Sequence, residues 1–351
     1  MTSIVGVRIV QRINRRISWE RWRLRKAALA ANRRFRAYRD VVWLLGDGRS
    51  GTTWVGDLIN ADGRRRNLFE PIHPFDEPGA RAAGLKPHAY LRPGEDCVSA
   101  RPFIESVLSG RYISQRADRE NRVRLYRGLL IKDIFANLLA RWALTFSPHV
   151  KPVLLLRHPF AVAASKRRAR RMRWMTDPKD FLSQPKLVED HLAPYLDLID
   201  FAGEDYIARQ VLIWAVINSA PLRQFSRGEI HVLFYEDVYL NPADALQNVF
   251  DFIGAGASEA RLARALALHE RPSAMATRKA TIVNGESPVA SWKNDLTRKQ
   301  IEAGLVILRR FGLDKIYTDD ILPDPGGLGA IMQQSAQDNR AGQGGRARRS
   351  R

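Results

Sequence analysis

The chain has 351 residues, 45% of them hydrophobic, which is enough for one large α/β core. Its formal net charge of +20 favours anionic partners, whether nucleic acid, acidic lipid, or phosphorylated and sulfated ligands. No stretch approaches the roughly 18 apolar residues of a membrane span. A lone cysteine, Cys97, excludes an internal disulfide and fits a reducing, cytoplasmic setting.

Residues 1–39 form a first zone. Twelve basic residues lie between Arg8 and Arg39, against one acid, Glu20. Val10, Ile13, Ile17, Leu24, Ala28, Ala31 and Phe35 follow helical spacing, so the zone predicts a basic amphipathic helix. Such a helix either packs on the core with a solvated basic back or lies on an anionic membrane face. Nucleic acid is the weaker partner, because no DNA- or RNA-binding motif is present.

Residues 40–322 alternate between strand and helix patterns. Apolar strand candidates are Val41–Leu45, Asn67–Glu70, Leu129–Asp133, Val153–Arg157 and Ile230–Tyr235. Alternation of this kind predicts a parallel sheet covered on both faces, with ligands at the carboxyl ends of the strands. Residues 323–351 are rich in Gly, Gln and Pro, end in GRARRSR, and read as a disordered basic tail.

The strongest local signal is VVWLLGDGRSGTTWVGDLIN at 41–60. An apolar strand runs into Gly46-Asp47-Gly48-Arg49-Ser50-Gly51-Thr52-Thr53, and an amphipathic helix follows. The glycines permit tight curvature, so successive N–H groups and the helix N-terminus can face one phosphate. The Gly46-x4-Gly51 spacing matches the ATP-binding P-loop, but the lysine that should follow Gly51 is Thr52. The cation, Arg49, lies inside the loop instead. That favours a single 5′-phosphate group over a Mg²⁺-bound polyphosphate. A second anion site is legible downstream. The apolar strand Val153–Leu156 ends in Arg157, His158-Pro159 turns the chain, and the next helix carries Ser165, Lys166, Arg167, Arg168, Arg170 and Arg171. Arginine at a strand end and serine in the following helix can converge on one anion.

These segments resemble the sulfotransferase superfamily. RSGTTW at 49–54 resembles its 5′-phosphosulfate loop, and Arg157 with Ser165 resembles its 3′-phosphate site. HVLFYEDVYLNP at 231–242 with Phe252-Ile253-Gly254, then Arg278-Lys279 and Ser291-Trp292-Lys293-Asn294, resemble its later blocks. The resemblance spans about Val41 to Tyr317. It implies a P-loop-like, three-layer α/β fold with a central parallel sheet. It also implies 3′-phosphoadenosine-5′-phosphosulfate (PAPS) as donor, PAP as product, and no metal. Arg49, Ser50, Gly51, Thr52 and Thr53 would hold the phosphosulfate, and Trp54 and Tyr235 the adenine. Arg157 and Ser165 would hold the 3′-phosphate with Arg278 and Lys279, although Ala280 stands where the cytosolic aryl and steroid enzymes have glycine.

In those enzymes the base is a histidine two residues after a strand lysine. Here the lysine matches as Lys132, but the histidine position is Ile134. Asn67-Leu68-Phe69-Glu70-Pro71-Ile72-His73 looks more like the carbohydrate 6-O-sulfotransferases, where a glutamate ends the strand. Glu70 is therefore the expected base, with Lys132 and Arg49 as cations near the transferred group. Asp133 and His73 are weaker base candidates. The expected activity is sulfuryl transfer to a hydroxyl of a glycan or glycolipid. Two rivals stand beside it: a P-loop kinase-like phosphotransferase, and a non-catalytic nucleotide- or polyanion-binding protein.

Overall fold

The computed structural model describes residues 19–332, apart from 33, 35–37, 170–171, 255, 257 and 272–286. Five strands make one sheet: β1 Asp40–Gly46, β2 Arg65–Phe69, β3 Gly128–Asp133, β4 Lys151–Leu156 and β5 His231–Phe234. Their order is β2-β3-β1-β4-β5, and every pair is parallel. Each expected strand is present, with ends shifted by no more than two residues. The central strands are unbroken apolar runs because both faces are covered. In β1, Val41, Trp43 and Leu45 enter one core, while Val42 and Leu44 enter the other.

Helix α2, Thr52–Ile59, covers the second face with Val55, Leu58 and Ile59. Helices α3 (Pro159–Arg168), α4 (Tyr206–Gln224) and α5 (Arg298–Phe311) cover the first. Helix α5 starts at a capping box, Thr297 with Gln300, and passes close to α3 at Gly304. A Cβ at Gly304 would lie 2.1 Å from the Phe160 ring, so only glycine lets the two helices meet this closely. Connections leave β1 toward β2 and leave β4 toward β5. The crevice between the carboxyl ends of β1 and β4 is therefore the topological switch point, where such sheets bind ligands.

Within the first zone the structure has helix α1, residues 19–32. It packs along a line the apolar spacing did not mark. Leu29 is buried, Arg25 donates to the carbonyls of Asp118 and Arg119, and Asn32 pairs with the backbone of Tyr126. Leu24, expected on the packing stripe, is 63% exposed. Polar side chains take the inner face because backbone groups satisfy them there. At the other end, residues 325–332 are helical and Met332 is buried, so regular structure extends past residue 323. Residues 1–18 and 333–351 lie outside the described residues.

Candidate active site

Helix α2 begins at Gly51, whose φ of 91° is left-handed and which has no side-chain cap. Arg49 is also left-handed, with φ 72°. Glycine is required at 51 on a second count, since a Cβ there would lie 2.6 Å from the Tyr235 ring. The first N–H groups of α2 have no intrahelical acceptor. The Ser50 hydroxyl is buried without a partner. This is a cradle of donors at a helix N-terminus, the arrangement that holds phosphate.

The two expected anion sites meet through Arg49. Its Nε donates to Ser165 Oγ at 3.1 Å, and its carbonyl accepts from Arg157 at 2.9 Å. Arg157 also donates to the Pro288 carbonyl at 2.6 Å, while its buried Nε has no partner. Its guanidinium lies 4.3 Å above the Tyr235 ring. Burial, then the charges of Arg157 and Arg168, hold the Arg49 pKa below its ordinary value. Arg168 is paired with Asp295. Among the described residues, Arg49 and Arg157 meet only carbonyls, a hydroxyl and a ring. Two cations held without a carboxylate suit an anionic ligand.

Trp54 packs against Tyr235 and His269, with ring centroids 5.4 and 5.1 Å away, and its Nε1 is unpartnered. Arg278 and Lys279 lie outside the described residues. Lys166 reaches the loop but is committed, with Nζ at 2.7 Å from both Asp47 carboxylate oxygens. This buried pair ties the loop to α3. His158 is structural. It starts α3, stacks on Trp292 at 4.5 Å, and is pushed down to about 3, chiefly by burial.

At the end of β2 the site is built differently. The Glu70 N–H extends the ladder to the Lys132 carbonyl at 2.7 Å, and then the chain kinks at a φ of 48°. The Glu70 carboxylate accepts from Lys132 Nζ at 2.5 Å and from Arg116 at 2.8 Å. Burial raises its pKa, but Lys132 and Arg116 outweigh burial and hold it below the usual carboxylate range. Lys132 Nζ also lies 3.4 Å from Thr53 Oγ1, so it stands between the phosphate loop and Glu70. Arg116 was not found by sequence reasoning. It lies in an irregular segment 46 residues from its partner, with no local pattern to mark it.

The weaker base candidates fare unequally. His73 Nδ1 accepts from the Asp76 N–H at 3.2 Å, and its Nε2 faces an Asp76 oxygen at 3.4 Å. Burial, above all, pushes it down to about 4, so it is neutral with both ring nitrogens engaged. Asp133 is fully buried. One oxygen accepts from the Ile72 N–H at 3.1 Å and the other has no partner. Burial, and then the Glu70 charge, push it up to about 7. Ile134 sits against the loop, 3.6 Å from where a Gly48 Cβ would be.

A parallel sheet with a phosphate cradle at its switch point, arginines in place of the P-loop lysine, and a carboxylate–lysine pair beside them defines a nucleotide-dependent group transferase. Residues 39–306 match the model of the sulfotransferase domain family. The chain belongs to that family, so it is a sulfotransferase with PAPS as its sulfuryl donor. The orphaned donors of Ser50 and Arg157 fit the anionic groups of such a donor. Similar solved structures include mouse sulfotransferase SULT7A1 complexed with PAP, at 14% identity over 89% of this chain and 93% of that one, with a TM-score of 0.43. The sulfotransferase domain of the Synechococcus PCC 7002 olefin synthase is 16% identical over 75% and 92%, with a TM-score of 0.42. Sulfotransferase STF9 from Mycobacterium avium is 15% identical over 80% and 77%, with a TM-score of 0.41. No curated protein sequence matches the chain. Among the described residues, no helix is long and apolar enough to cross a membrane, and no cluster of His, Cys, Asp and Glu could hold a metal ion.

Proposed function

We propose that the protein transfers the sulfuryl group of PAPS to a hydroxyl of a glycan or glycolipid, with Glu70 as base. The observation that carries this reading is the Lys132 ammonium, which links the Glu70 carboxylate to Thr53 at the mouth of the phosphate loop. PAPS, when bound, supplies the sulfuryl group and leaves as PAP. Ser50, Gly51, Thr52 and Thr53 hold the 5′-phosphosulfate with their N–H and hydroxyl groups. Arg157 and Ser165 hold the 3′-phosphate, joined by Arg278 and Lys279. Trp54 and Tyr235 flank the adenine. Arg49 belongs to the loop and meets Ser165 through its guanidinium and Arg157 through its carbonyl, so it joins the loop to the 3′-phosphate residues.

Glu70 takes the proton of the acceptor hydroxyl as that oxygen bonds to sulfur and the bond from sulfur to the 5′-phosphate oxygen breaks. Lys132 and Arg49 stabilise the negative charge that gathers on the departing oxygen. Lys132 has a second effect. As its charge is drawn toward the sulfuryl group it releases Glu70, and the carboxylate becomes a stronger base when the donor is in place.

A carboxylate rather than a histidine at this corner supports the carbohydrate side of the family. On α1, Trp19 and Leu24 are exposed beside Arg21, Arg23 and Lys26, which supports peripheral contact with an anionic membrane where a glycolipid would be met. The single cysteine supports a cytoplasmic setting. Labelled PAPS offered with separate pools of oligosaccharides, glycolipids, phenols and sterols tests the acceptor class. Label is expected on a sugar hydroxyl. Transfer confined to phenols or sterols would overturn the carbohydrate reading.

A further inference from the structure

A glutamate held at φ 48° carries a steric penalty that its neighbours must offset, and such strain clusters at functional positions. One guanidinium meets the kink at three points. Arg116 donates to the Phe69 and Glu70 carbonyls at 3.3 and 2.9 Å, and to the Glu70 carboxylate at 2.8 Å. It therefore grips both the backbone kink and the reacting end of the same side chain. Its remaining neighbours are a Glu77 oxygen at 3.6 Å and the Phe69 ring. From the opposite side, the Lys132 carbonyl takes the Glu70 N–H and Asp133 takes the Ile72 N–H. The kink is thus pinned at both ends.

We propose that Arg116 is a positioning residue, which fixes the direction and the ionised state of Glu70 without touching donor or acceptor. The proposal rests on Glu70 being the base. The fork of a guanidinium suits the task, because two carbonyls and a carboxylate oxygen lie within reach of its two terminal nitrogens. The charged and titratable groups facing Glu70 are Lys132 on β3, Arg116 itself, His73 after the kink, and Asp133. His73 is neutral, so Arg116 is one of two cations on the carboxylate. Removing it lets the Glu70 carboxyl titrate at higher pH.

The test compares wild type, Arg116→Gln, Arg116→Lys and Glu70→Gln. The rate of PAP release from PAPS, with water as acceptor, is followed as pH rises from acid to neutral. Stabilisation by PAP is measured beside it to show that each variant is folded with an intact donor site. Arg116→Gln is expected to lose about 10²-fold in rate, because a small misplacement of a reacting group costs that much. Its acid limb should move to higher pH. Arg116→Lys should restore the limb, since the cation returns, but only part of the rate, since the fork does not. An Arg116→Gln enzyme with wild-type rate and an unmoved limb overturns the positioning role, provided Glu70→Gln is inactive. If Arg116→Gln fails to bind PAP, Arg116→Lys decides alone: full rate there means the fork is not needed, and the proposal falls. Glu70→Gln at wild-type rate instead refutes Glu70 as base.

Discussion

Around the loop after β1, Arg49 and Arg157 meet carbonyls and a hydroxyl, whereas at the end of β2 Lys132 and Arg116 converge on one carboxylate. Among the described residues, the two guanidiniums of the first corner make no direct contact with a carboxylate. The second is complete in itself. A buried cation without a directly paired carboxylate is costly, so the first corner suits an anionic ligand. In the proposed mechanism the Glu70 corner gains reactivity as the Lys132 charge is drawn toward the donor. The proposed mechanism thus assigns affinity to one corner and rate to the other. Substitutions in the two should separate those quantities.

The largest effect is expected at the second corner. Glu70→Gln keeps the shape but removes the basicity and the charge. It should lower turnover on the order of 10²–10⁴-fold, the usual worth of a general base. PAP affinity, measured by calorimetry, should stay near wild type. A comparable loss of PAP affinity would mean that the two corners are not separate.

At the first corner the pattern reverses. Arg157→Ala removes a guanidinium with an unused Nε and should weaken PAP binding by roughly 1.5–3 kcal/mol, the range for charge-assisted hydrogen bonds. Saturating donor should recover most of the turnover. An unchanged PAP dissociation constant would remove Arg157 from the site.

A smaller effect concerns pH. Asp133 is pushed up to about 7 by burial and then by Glu70. Its folded pKa lies above its unfolded one, so the folded state holds an extra proton between them. Stability is then greatest below the unfolded value of about 4, and is lost as pH rises through about 7. Asp133→Asn keeps an oxygen for the Ile72 N–H and removes the titration. Its melting temperature should fall less than that of wild type between acid and neutral pH. Parallel curves would show that Asp133 is not the group responsible.

What the sequence made legible was local. The glycine spacing, the missing P-loop lysine and five apolar strands each lie within one short segment, and the structure has them in place. The contacts that join the corners are not local. Arg49 reaches Ser165 across 116 residues, and no spacing rule predicts that the loop arginine meets that serine. The kink at Glu70 was hidden because left-handed φ is expected of glycine, and here a glutamate adopts it with Arg116 on its carbonyl. Helix α1 misled in the same way. Arg25 and Asn32 face inward because backbone groups receive them, which an apolar stripe cannot reveal.

The most direct test of the account is the thermal stability of the protein with PAP and with ATP plus Mg²⁺ at equal concentrations. The arginine-lined loop and its neighbour at β4 suit two separate phosphates, and Lys166, which could have served a polyphosphate chain, is held by Asp47. PAP at about 100 times its dissociation constant should stabilise the fold by about 2.7 kcal/mol. ATP with Mg²⁺ should give a much smaller shift, and Arg157→Ala should diminish the PAP effect. Equal stabilisation by both nucleotides, or none by PAP, would contradict the account.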